Sequence, residues 1–451
     1  MTTIKDHWDT IKGSLRWTGS VKHSDPTKPG LYHYVRQGPG EHSRVHLRID
    51  PDGNGLLIVN ANRIVHLNPT AAFMARLALE ETTPDDAVRI IRRRFRVSKN
   101  QASYDYAQTA NQLVELVRPD GACPIHDLNI EVRPPFSARP SAPYRMDLAL
   151  TYRCNNDCAH CYNARPRQFP EMSTLEWKRV IDQLWQIGIP HIVFTGGEPT
   201  LRSDLPELIA HAQANGQITG LNTNGRRLSD TDFLDRLIDA GLDHVQITLE
   251  SHNPTIHDHM VGAKGAWRQT TTGLINALDT PLYVMTNTTM LVENSPTMVE
   301  TLIYLAELGV PTVGLNALIY SGRGQTVGTG LAEEDLQPLL TSARILTENH
   351  NQRLIWYTPT EYCHFDPMQL ELGVKGCTAA LYNMCIEPDG SVLPCQSYYE
   401  PLGNLLNNSW ETIWNHPLSI RLRNRSYVAK KCRDCTLLSE CGGGCPLKSM
   451  A

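Results

Sequence analysis

Three cysteines, Cys154, Cys158 and Cys161, stand within eight residues and offer the most specific chemistry in this sequence. Their C-x3-C-x2-C spacing places three thiolates on one short loop. Three thiolates can bind three irons of a [4Fe–4S] cube and leave the fourth iron open, as catalytic metal sites keep one position open. Zinc is the alternative, but structural zinc takes four ligands, and His160 would have to bend back sharply to be the fourth. We therefore predict an iron–sulfur cluster.

A glycine-rich motif supplies the second chemical group. Its residues, which follow a predicted strand, are Thr195, Gly196, Gly197, Glu198 and Pro199. Together, CNNDCAHCY and TGGEP resemble the CxxxCxxC signature and the GGEP motif of the radical S-adenosylmethionine superfamily. Each motif stands at the end of its own predicted strand, in the order that this family shows. The resemblance spans about residues 145–350.

This resemblance implies a set of cofactors and a reaction. In the family, the reduced cluster gives one electron to bound S-adenosylmethionine, which splits into methionine and a 5′-deoxyadenosyl radical. That radical removes a hydrogen atom from an unreactive C–H bond. The glycines would allow a close backbone approach, and Glu198 would hold the methionine amino group, a carboxylate facing an ammonium. An electron donor such as flavodoxin or ferredoxin is implied as well.

Polar residues at later strand ends are further candidates for binding the cofactor or facing the substrate. The resemblance implies this role for Asn222, Asn224, Glu250, Ser251, Asn287 and Arg323. Each of them could instead be a strand-end cap or a turn residue. Glu250 occupies a place where relatives often have aspartate. The predicted contacts of this group with S-adenosylmethionine are therefore open at this point.

The C-terminal cysteines form a second motif. Their pattern, C-x12-G-x4-C, a gap, then C-x2-C-x5-C-x3-C, resembles the SPASM domain, whose cysteines ligate two auxiliary [4Fe–4S] clusters. The resemblance implies three clusters in all, with two zinc sites as the alternative to the auxiliary pair. It assigns Cys377, Cys395 and Cys445 to the first auxiliary cluster and Cys432, Cys435 and Cys441 to the second. The family's seventh cysteine does not appear in PLKSMA after Cys445, so the second cluster needs another ligand, has an open iron, or belongs to a shortened chain.

Three of the twelve cysteines have no place in these motifs. Cys363 and Cys385 are candidates for catalysis, as thiols that give a hydrogen atom to a substrate radical, or for completing a cluster. They could also be ordinary buried cysteines. Cys123 stands in a proline-rich stretch and is predicted to be an ordinary free thiol.

The elements that must position these groups follow from hydrophobic patterning. From Met146, short apolar strands alternate with amphipathic helices, which predicts an α/β fold with a parallel sheet, here a partial (β/α)6 TIM-like barrel. The catalytic groups should then lie at the carboxyl ends of the strands. The predicted strands are Met146–Tyr152, His191–Thr195, Ile218–Asn222, His244–Leu249, Leu282–Met290 and Thr312–Tyr320. The predicted domains are an irregular arm (1–42), a recognition module (43–118), a linker (119–143), the barrel (144–355) and a cysteine-rich iron–sulfur domain (356–451).

The recognition module reads as a winged-helix-like α+β unit. Three strand candidates, at 44–49, 56–60 and 63–67, precede three helix candidates, the first two opened by Asn68-Pro69 and Thr83-Pro84. The segment from Gly55 to Leu116 is similar to the PqqD-like recognition element, which binds the leader of a precursor peptide as an added strand. DNA binding is the competing reading, supported by the basic run Arg89, Arg92, Arg93, Arg94 and Arg96.

Charge and composition narrow the functions further. A net charge of -5 disfavours a general nucleic-acid binder. The sequence shows neither a secretory h-region nor a membrane-length apolar stretch, and its clustered cysteines suit a reducing compartment, so we expect a cytoplasmic protein that binds no membrane. The leading hypothesis is an oxidoreductase that cross-links, epimerises or oxidises a ribosomally made precursor peptide. The alternatives are a radical enzyme for a small molecule or folded protein, such as a sulfatase maturase, and a cluster-containing regulator.

Overall fold

The computed structural model of the chain describes residues 17–19, 25–38, 41–60, 63–117 and 139–448. Cys123 and most of the predicted linker lie outside these ranges. The chain divides into two compact units. The first comprises Met1–Arg133 and Trp185–Pro190, and the second comprises Pro134–Leu184 and His191–Ala451. Within the described ranges, no helix is long and apolar enough to cross a membrane.

The first unit contains an antiparallel sheet whose five strands are neighbours in sequence order. They are β1 (Trp17–Gly19), β2 (Gly30–Gly38), β3 (Glu41–Ile49), β4 (Gly55–Val59) and β5 (Arg63–Leu67). The prediction of an irregular arm over residues 1–42 is wrong for β2, which pairs with β3 along its whole length. The alternation of buried and less buried residues around Tyr32 and Tyr34 is short and lies between glycine and proline residues. For this reason the sequence pattern did not predict a strand here.

Three helices follow, as predicted: α1 (Pro69–Leu79), α2 (Pro84–Arg94) and α3 (Lys99–Val117). The side chain of Asn68 accepts a hydrogen bond from the backbone N–H of Ala71 at 2.8 Å, so the predicted N-cap forms. Phe73, Ile91 and Tyr106 are buried together between the helices. The five arginines of the basic run are all exposed, which is the pattern of a solvated helix face.

The second unit contains a ten-stranded sheet. Seven strands in sequence order are parallel neighbours: β6 (Arg145–Thr151), β7 (His191–Gly196), β8 (Ile218–Thr223), β9 (His244–Thr248), β10 (Tyr283–Thr289), β11 (Thr312–Asn316) and β12 (Arg353–Trp356). The six predicted barrel strands all form. The four-residue strand β12 is a seventh that the sequence analysis missed. The helices between them are α4 (Thr174–Ile187), α5 (Leu205–Asn215), α6 (Thr231–Asp239), α7 (Pro254–Val261), α8 (Ala266–Leu278), α9 (Met298–Glu307) and α10 (Glu333–Asn349).

The cysteine-rich region extends the same sheet. Strand β13 (Asn383–Ile386) pairs in parallel with β6, and β14 (Ser391–Leu393) and β15 (Gly403–Asn404) continue antiparallel from it. Three short helices complete the unit: α11 (Trp410–Trp414), α12 (Pro417–Arg423) and α13 (Leu438–Cys441). The predicted boundary at residues 355 and 356 therefore does not separate two independent sheets.

The first residues of β7 and β9 form a half-buried histidine pair. His191 and His244 share a hydrogen bond between their Nε2 atoms at 2.8 Å. Burial lowers the pKa of His244 to about 4, below its ordinary value of 6.5. Below pH 6.5, His244 therefore binds a proton in the unfolded chain before it does so in the folded chain. Because protonation then favours the unfolded state, the free energy of unfolding falls as the pH drops below 6.5.

We expect His244 to cost at most about 2 kcal/mol of unfolding free energy between pH 6.5 and pH 5. The variant His244→Gln, whose amide does not titrate, should show a flatter dependence of the urea midpoint on pH in this range. Parallel curves for the variant and the parent would show that His244 does not titrate differently in the two states.

Candidate functional site

The two sequence motifs meet through their backbones. We call residues 152–163 the cysteine loop and residues 195–199 the GGEP loop. The N–H of Gly197 donates to the carbonyl of Thr151 at 2.7 Å, and the N–H of Glu198 donates to the carbonyl of Arg153 at 2.8 Å. A Cβ at Gly197 would lie 2.4 Å from the oxygen of Arg153. The glycines therefore let the GGEP loop lie directly on the chain that leads into Cys154.

Glu198 joins the ends of β7 and β8. Its side chain is fully buried, and its carboxylate accepts from the Oγ1 and N–H of Thr200, from the Oγ1 of Thr223 at 2.7 Å and from the N–H of Asn224 at 2.8 Å. Burial raises the pKa of Glu198, while these donors oppose the shift. Thr195 and Pro199 of the same loop are also buried. The carboxylate thus has a fixed position within the site.

The three thiols of the cysteine loop are half-buried. Burial raises the pKa of Cys154 to about 11, and the neighbouring Cys161 contributes to the shift. Burial likewise raises the pKa of Cys158, with contributions from the other two thiols. Among the described residues, only Glu361, Cys363 and His364 bring three metal-ligand atoms within 4.8 Å of one another. The thiols of the cysteine loop are not part of that group.

Residues that follow two other strands, β8 and β11, hold the cysteine loop in place. The Nδ2 of Asn224 donates to the Oδ1 of Asn155 at 2.7 Å, and an Nη of Arg226 donates to the Oδ1 of Asn156 at 2.8 Å. From the turn after β11, the backbone N–H of Arg323 donates to the carbonyl of Cys161 at 2.9 Å. The Arg323 guanidinium also contacts Asp157 at 3.0 Å and holds the pKa of that carboxyl below its usual range. Arg226 is a contributor that the sequence analysis did not identify.

His160 is turned away from the thiols toward Glu250. The His160 Nε2 lies 3.0 Å from a carboxylate oxygen of Glu250, which is almost fully buried at the end of β9. The other oxygen of Glu250 accepts from the N–H of Thr289 at 2.8 Å. Burial lowers the pKa of His160, but the adjacent carboxylate raises it by more, so the net shift is upward. This pairing gives His160 a partner other than a metal ion.

The remaining strand-end candidates have diverse surroundings. The Oγ of Ser251 accepts from the N–H of Asn253 at 3.1 Å, which is a turn contact at the start of α7. The Oδ1 of Asn287 accepts from the Nδ2 of Asn316 at 2.7 Å, joining β10 to β11. Asn222 is half-buried on β8. The structure therefore gives Ser251 a capping role. Asn222 and Asn287 lie near the carboxyl ends of β8 and β10.

The cysteine loop is also linked to the C-terminal region. The hydroxyl of Tyr162 donates to the Oε1 of Gln396 at 3.1 Å, and Gln396 is the neighbour of Cys395. The next residue is Ser397, whose carbonyl accepts a hydrogen bond from the Oγ of Ser321 at 2.8 Å. Tyr162, which follows Cys161, therefore contacts Gln396, which follows Cys395. No sequence motif indicated Gln396.

Three C-terminal cysteines converge although they are far apart in sequence. Burial raises the pKa of Cys377, and the thiols of Cys445 and Cys395 add to the shift. Burial raises the pKa of Cys395 to about 12, again with a contribution from Cys445. None of the eleven cysteines that the structure describes forms a disulfide. The assignment of these three cysteines to one cluster remains a prediction.

The two unassigned cysteines have opposite environments. Cys385 is buried on β13, where it packs with Ala149, Tyr152 and Leu393, and burial raises its pKa well above the ordinary value. Cys363 is exposed and lies beside Glu361 and His364.

Comparisons with known protein families agree with this organisation. Residues 148–306 match the model of the radical SAM superfamily. Residues 377–436 match SPASM, an iron–sulfur cluster-binding domain. Residues 49–116 match coenzyme PQQ synthesis protein D, PqqD.

Individual relatives are similar over much of the chain. The Fe-coproporphyrin III synthase of Methanosarcina barkeri is 29% identical over 335 residues, which cover 67% of this chain and 83% of that protein. Streptococcus suis SuiB bound to its precursor peptide SuiA superposes with a TM-score of 0.67 at 17% identity, covering 90% of this chain and 94% of that one. The native anSMEcpe with bound AdoMet has a TM-score of 0.55 at 17% identity, covering 67% and 89%. These structures share the fold of this chain.

Proposed function

Because the chain carries a radical SAM domain, an SPASM domain and a PqqD domain, we propose that it is an oxidoreductase that modifies a ribosomally made precursor peptide. The modification would be a cross-link, an epimerisation or an oxidation that begins with removal of a hydrogen atom. The observation that carries this proposal is the backbone pairing of the GGEP loop with the cysteine loop. That pairing fixes the GGEP loop, with its buried Glu198 carboxylate, beside the thiol triad, so that one cofactor could meet both.

We assign the catalytic [4Fe–4S] cluster to Cys154, Cys158 and Cys161. The three thiols support this assignment because they are half-buried on one short loop, while the His160 of that loop pairs with Glu250. When bound, the cluster supplies one electron to S-adenosylmethionine held at its open iron. The contributions of the chain are to fix the loop through Asn224, Arg226 and Arg323 and to exclude water.

The residues that would bind S-adenosylmethionine are those of the GGEP loop and the neighbouring strand ends. Gly196 and Gly197 would present backbone groups, and Glu198 would face the amino group of the methionine part. Asn222, Asn224, Glu250, Asn287 and Arg323 lie at strand ends around the cysteine loop and would complete the pocket. Ser251 would act through the turn that it caps.

The auxiliary clusters are assigned to the C-terminal cysteines. Cys377, Cys395 and Cys445 would ligate the first, and Cys432, Cys435 and Cys441 the second, giving three clusters per chain. The Tyr162–Gln396 hydrogen bond joins the cysteine loop to the segment of Cys395, so the residues that would hold these two clusters are in direct contact. An auxiliary cluster could thereby accept the second electron of a net oxidation. Cys385 lies near the same residues, and its protonated thiol would suit hydrogen-atom donation in an epimerisation.

The leader of the precursor would bind the first unit. Among the described strands, β5 forms one edge of the five-stranded sheet, and edge strands can pair with an added strand. Val65 and Leu67 on β5 are half-buried and pack against the core, while Ile64 and His66 alternate with them and are exposed. An added strand would extend this alternation.

The affinity of a leader bound as an added strand should depend on its backbone N–H groups. Only every second residue of an added strand faces the edge, so N-methylation of those residues should weaken binding about tenfold or more. The same number of N-methyl groups on the intervening residues serves as the matched control. Fluorescence anisotropy of labelled leader peptides measures both. Equal weakening in the two registers would contradict binding as an added strand.

An external electron donor such as flavodoxin or ferredoxin would reduce the catalytic cluster. A reducing, cytoplasmic compartment would suit a protein with so many clustered thiols.

A second candidate function follows from the similarity to the Methanosarcina barkeri enzyme, which is named for an iron porphyrin product. In this alternative the chain acts on a small molecule, and the first unit has a structural role. The two are separated by anaerobic incubation of the reconstituted protein with S-adenosylmethionine, a reductant and either a precursor peptide or an iron tetrapyrrole that could be converted to iron coproporphyrin III. We expect 5′-deoxyadenosine formation and a mass change with the peptide. Conversion of the tetrapyrrole, with no change in the peptide, would overturn the peptide proposal.

A further inference from the structure

A segment outside the SPASM motif contacts one of its cysteines. The backbone N–H of Tyr362 donates to the Sγ of Cys441 at 3.4 Å, and that thiol in turn donates to the carbonyl of Thr360 at 3.5 Å. The same segment reaches the glycines after Cys441, because a Cβ at Gly444 would lie 2.8 Å from the Cγ of Glu361. Residues 360–364, called the docking segment below, therefore lie directly on the Cys441–Cys445 turn.

Cys363 is the thiol of the docking segment. It directly follows Tyr362, whose backbone N–H donates to Cys441. Cys363 is exposed to solvent. It is thus a solvent-accessible thiol one residue from a direct contact with Cys441, one of the three cysteines assigned to the second auxiliary cluster.

The ligand atoms around Cys363 are grouped in the way that a metal requires. Three potential ligand atoms lie within 4.8 Å of one another: a carboxylate oxygen of Glu361, the Sγ of Cys363 and an imidazole nitrogen of His364. The Nδ1 of His364 lies 2.8 Å from a carboxylate oxygen of Glu333, and Lys448 pairs with the same carboxylate at 2.6 Å. The imidazole is therefore oriented by Glu333. Among these three residues the thiolate is the soft ligand that iron–sulfur clusters prefer.

We propose that Cys363 is the fourth ligand of the cluster held by Cys432, Cys435 and Cys441. A [4Fe–4S] cube takes four ligands, and the docking segment brings a thiol to the side of Cys441. The inference rests on the proposed function only in that these three cysteines hold a cluster. It makes the second auxiliary cluster fully ligated by thiolates and ties it to the end of the barrel through residues 360–364.

The most direct test is the reactivity of the Cys363 thiol. The anaerobic holoprotein is treated with iodoacetamide, and alkylation of each cysteine is followed by peptide mass spectrometry. We expect Cys363 to react at least about tenfold more slowly than in protein stripped of iron, because the thiolate is engaged by iron in the holoprotein. Equal rates in the two forms, with iron bound in the expected amount, would overturn the proposal. A failure to bind iron at all would instead count against the proposed function.

Substitution gives an independent readout. In a protein that lacks Cys154, Cys158 and Cys161, Cys363→Ala should change the electron paramagnetic resonance signal of one remaining cluster. It should also increase the rate of iron loss to a chelator about tenfold, whereas Cys123→Ala should do neither. Cys363→Ser, which retains an oxygen ligand, should give an altered signal with slower iron loss. If Cys363→Ala leaves the signal and the rate of iron loss unchanged while His364→Gln changes both, the ligand is His364 and the proposal is wrong.

Discussion

Replacing Cys158 with serine is expected to abolish reductive cleavage of S-adenosylmethionine and to remove about four irons per chain. The cause is the loss of one of the three half-buried thiols that we assign to the catalytic cluster. High-performance liquid chromatography of 5′-deoxyadenosine, together with iron and sulfide assays, measures both effects. The control is Cys123→Ser, which changes a cysteine outside every motif and should leave activity and iron content unchanged. Full activity of the Cys158 variant would exclude this loop as the catalytic cluster site.

Replacing Gly197 with alanine is expected to cost about 2–3 kcal/mol of stability and to weaken binding of S-adenosylmethionine more than tenfold. The added Cβ would meet two backbone oxygens, that of Arg153 at 2.4 Å and that of Tyr152 at 2.6 Å. Because both belong to backbone, one of the two loops must move. Thermal unfolding and equilibrium dialysis with labelled cofactor measure the two effects.

A glycine away from the site supplies the matched control. Gly309 has a φ of +78°, and a Cβ there would meet nothing within 4 Å. Gly309→Ala should therefore cost about 1 kcal/mol through backbone strain alone and leave cofactor affinity unchanged. Similar losses of affinity in the Gly197 and Gly309 variants would show that the effect reflects general destabilisation rather than the contact of the two loops.

Much of the fold was predictable because its signals are local. Apolar strands followed by amphipathic helices predicted β6 to β11, and Asn68-Pro69 predicted the start of α1. The missed elements depend on distant partners. Strand β12 has only four residues, and β13 is defined by its parallel pairing with β6, far earlier in the chain. Sequence patterning does not report such pairings, because the contacts that stabilise them are long-range.

The residue types of the candidate site were predictable, but their contacts were not. The cysteine spacing and the GGEP motif identified the thiols and Glu198 without showing that the two loops pair through their backbones. His160 attracts attention as a zinc ligand in the sequence, whereas the structure pairs it with Glu250, 90 residues away. Gln396 is 234 residues from Tyr162 and belongs to no motif. Such partners are specified by the fold and not by spacing.

Transfer of a hydrogen atom from peptide to cofactor is the step that defines the proposed enzyme. The measurement uses a precursor peptide deuterated at its carbon-bound positions, incubated anaerobically with the reconstituted protein, S-adenosylmethionine and a reductant. Mass spectrometry then follows both the peptide and the released 5′-deoxyadenosine. We predict that the 5′-deoxyadenosine formed with the modified peptide carries one deuterium. A modified peptide accompanied by unlabelled 5′-deoxyadenosine would contradict the proposed mechanism.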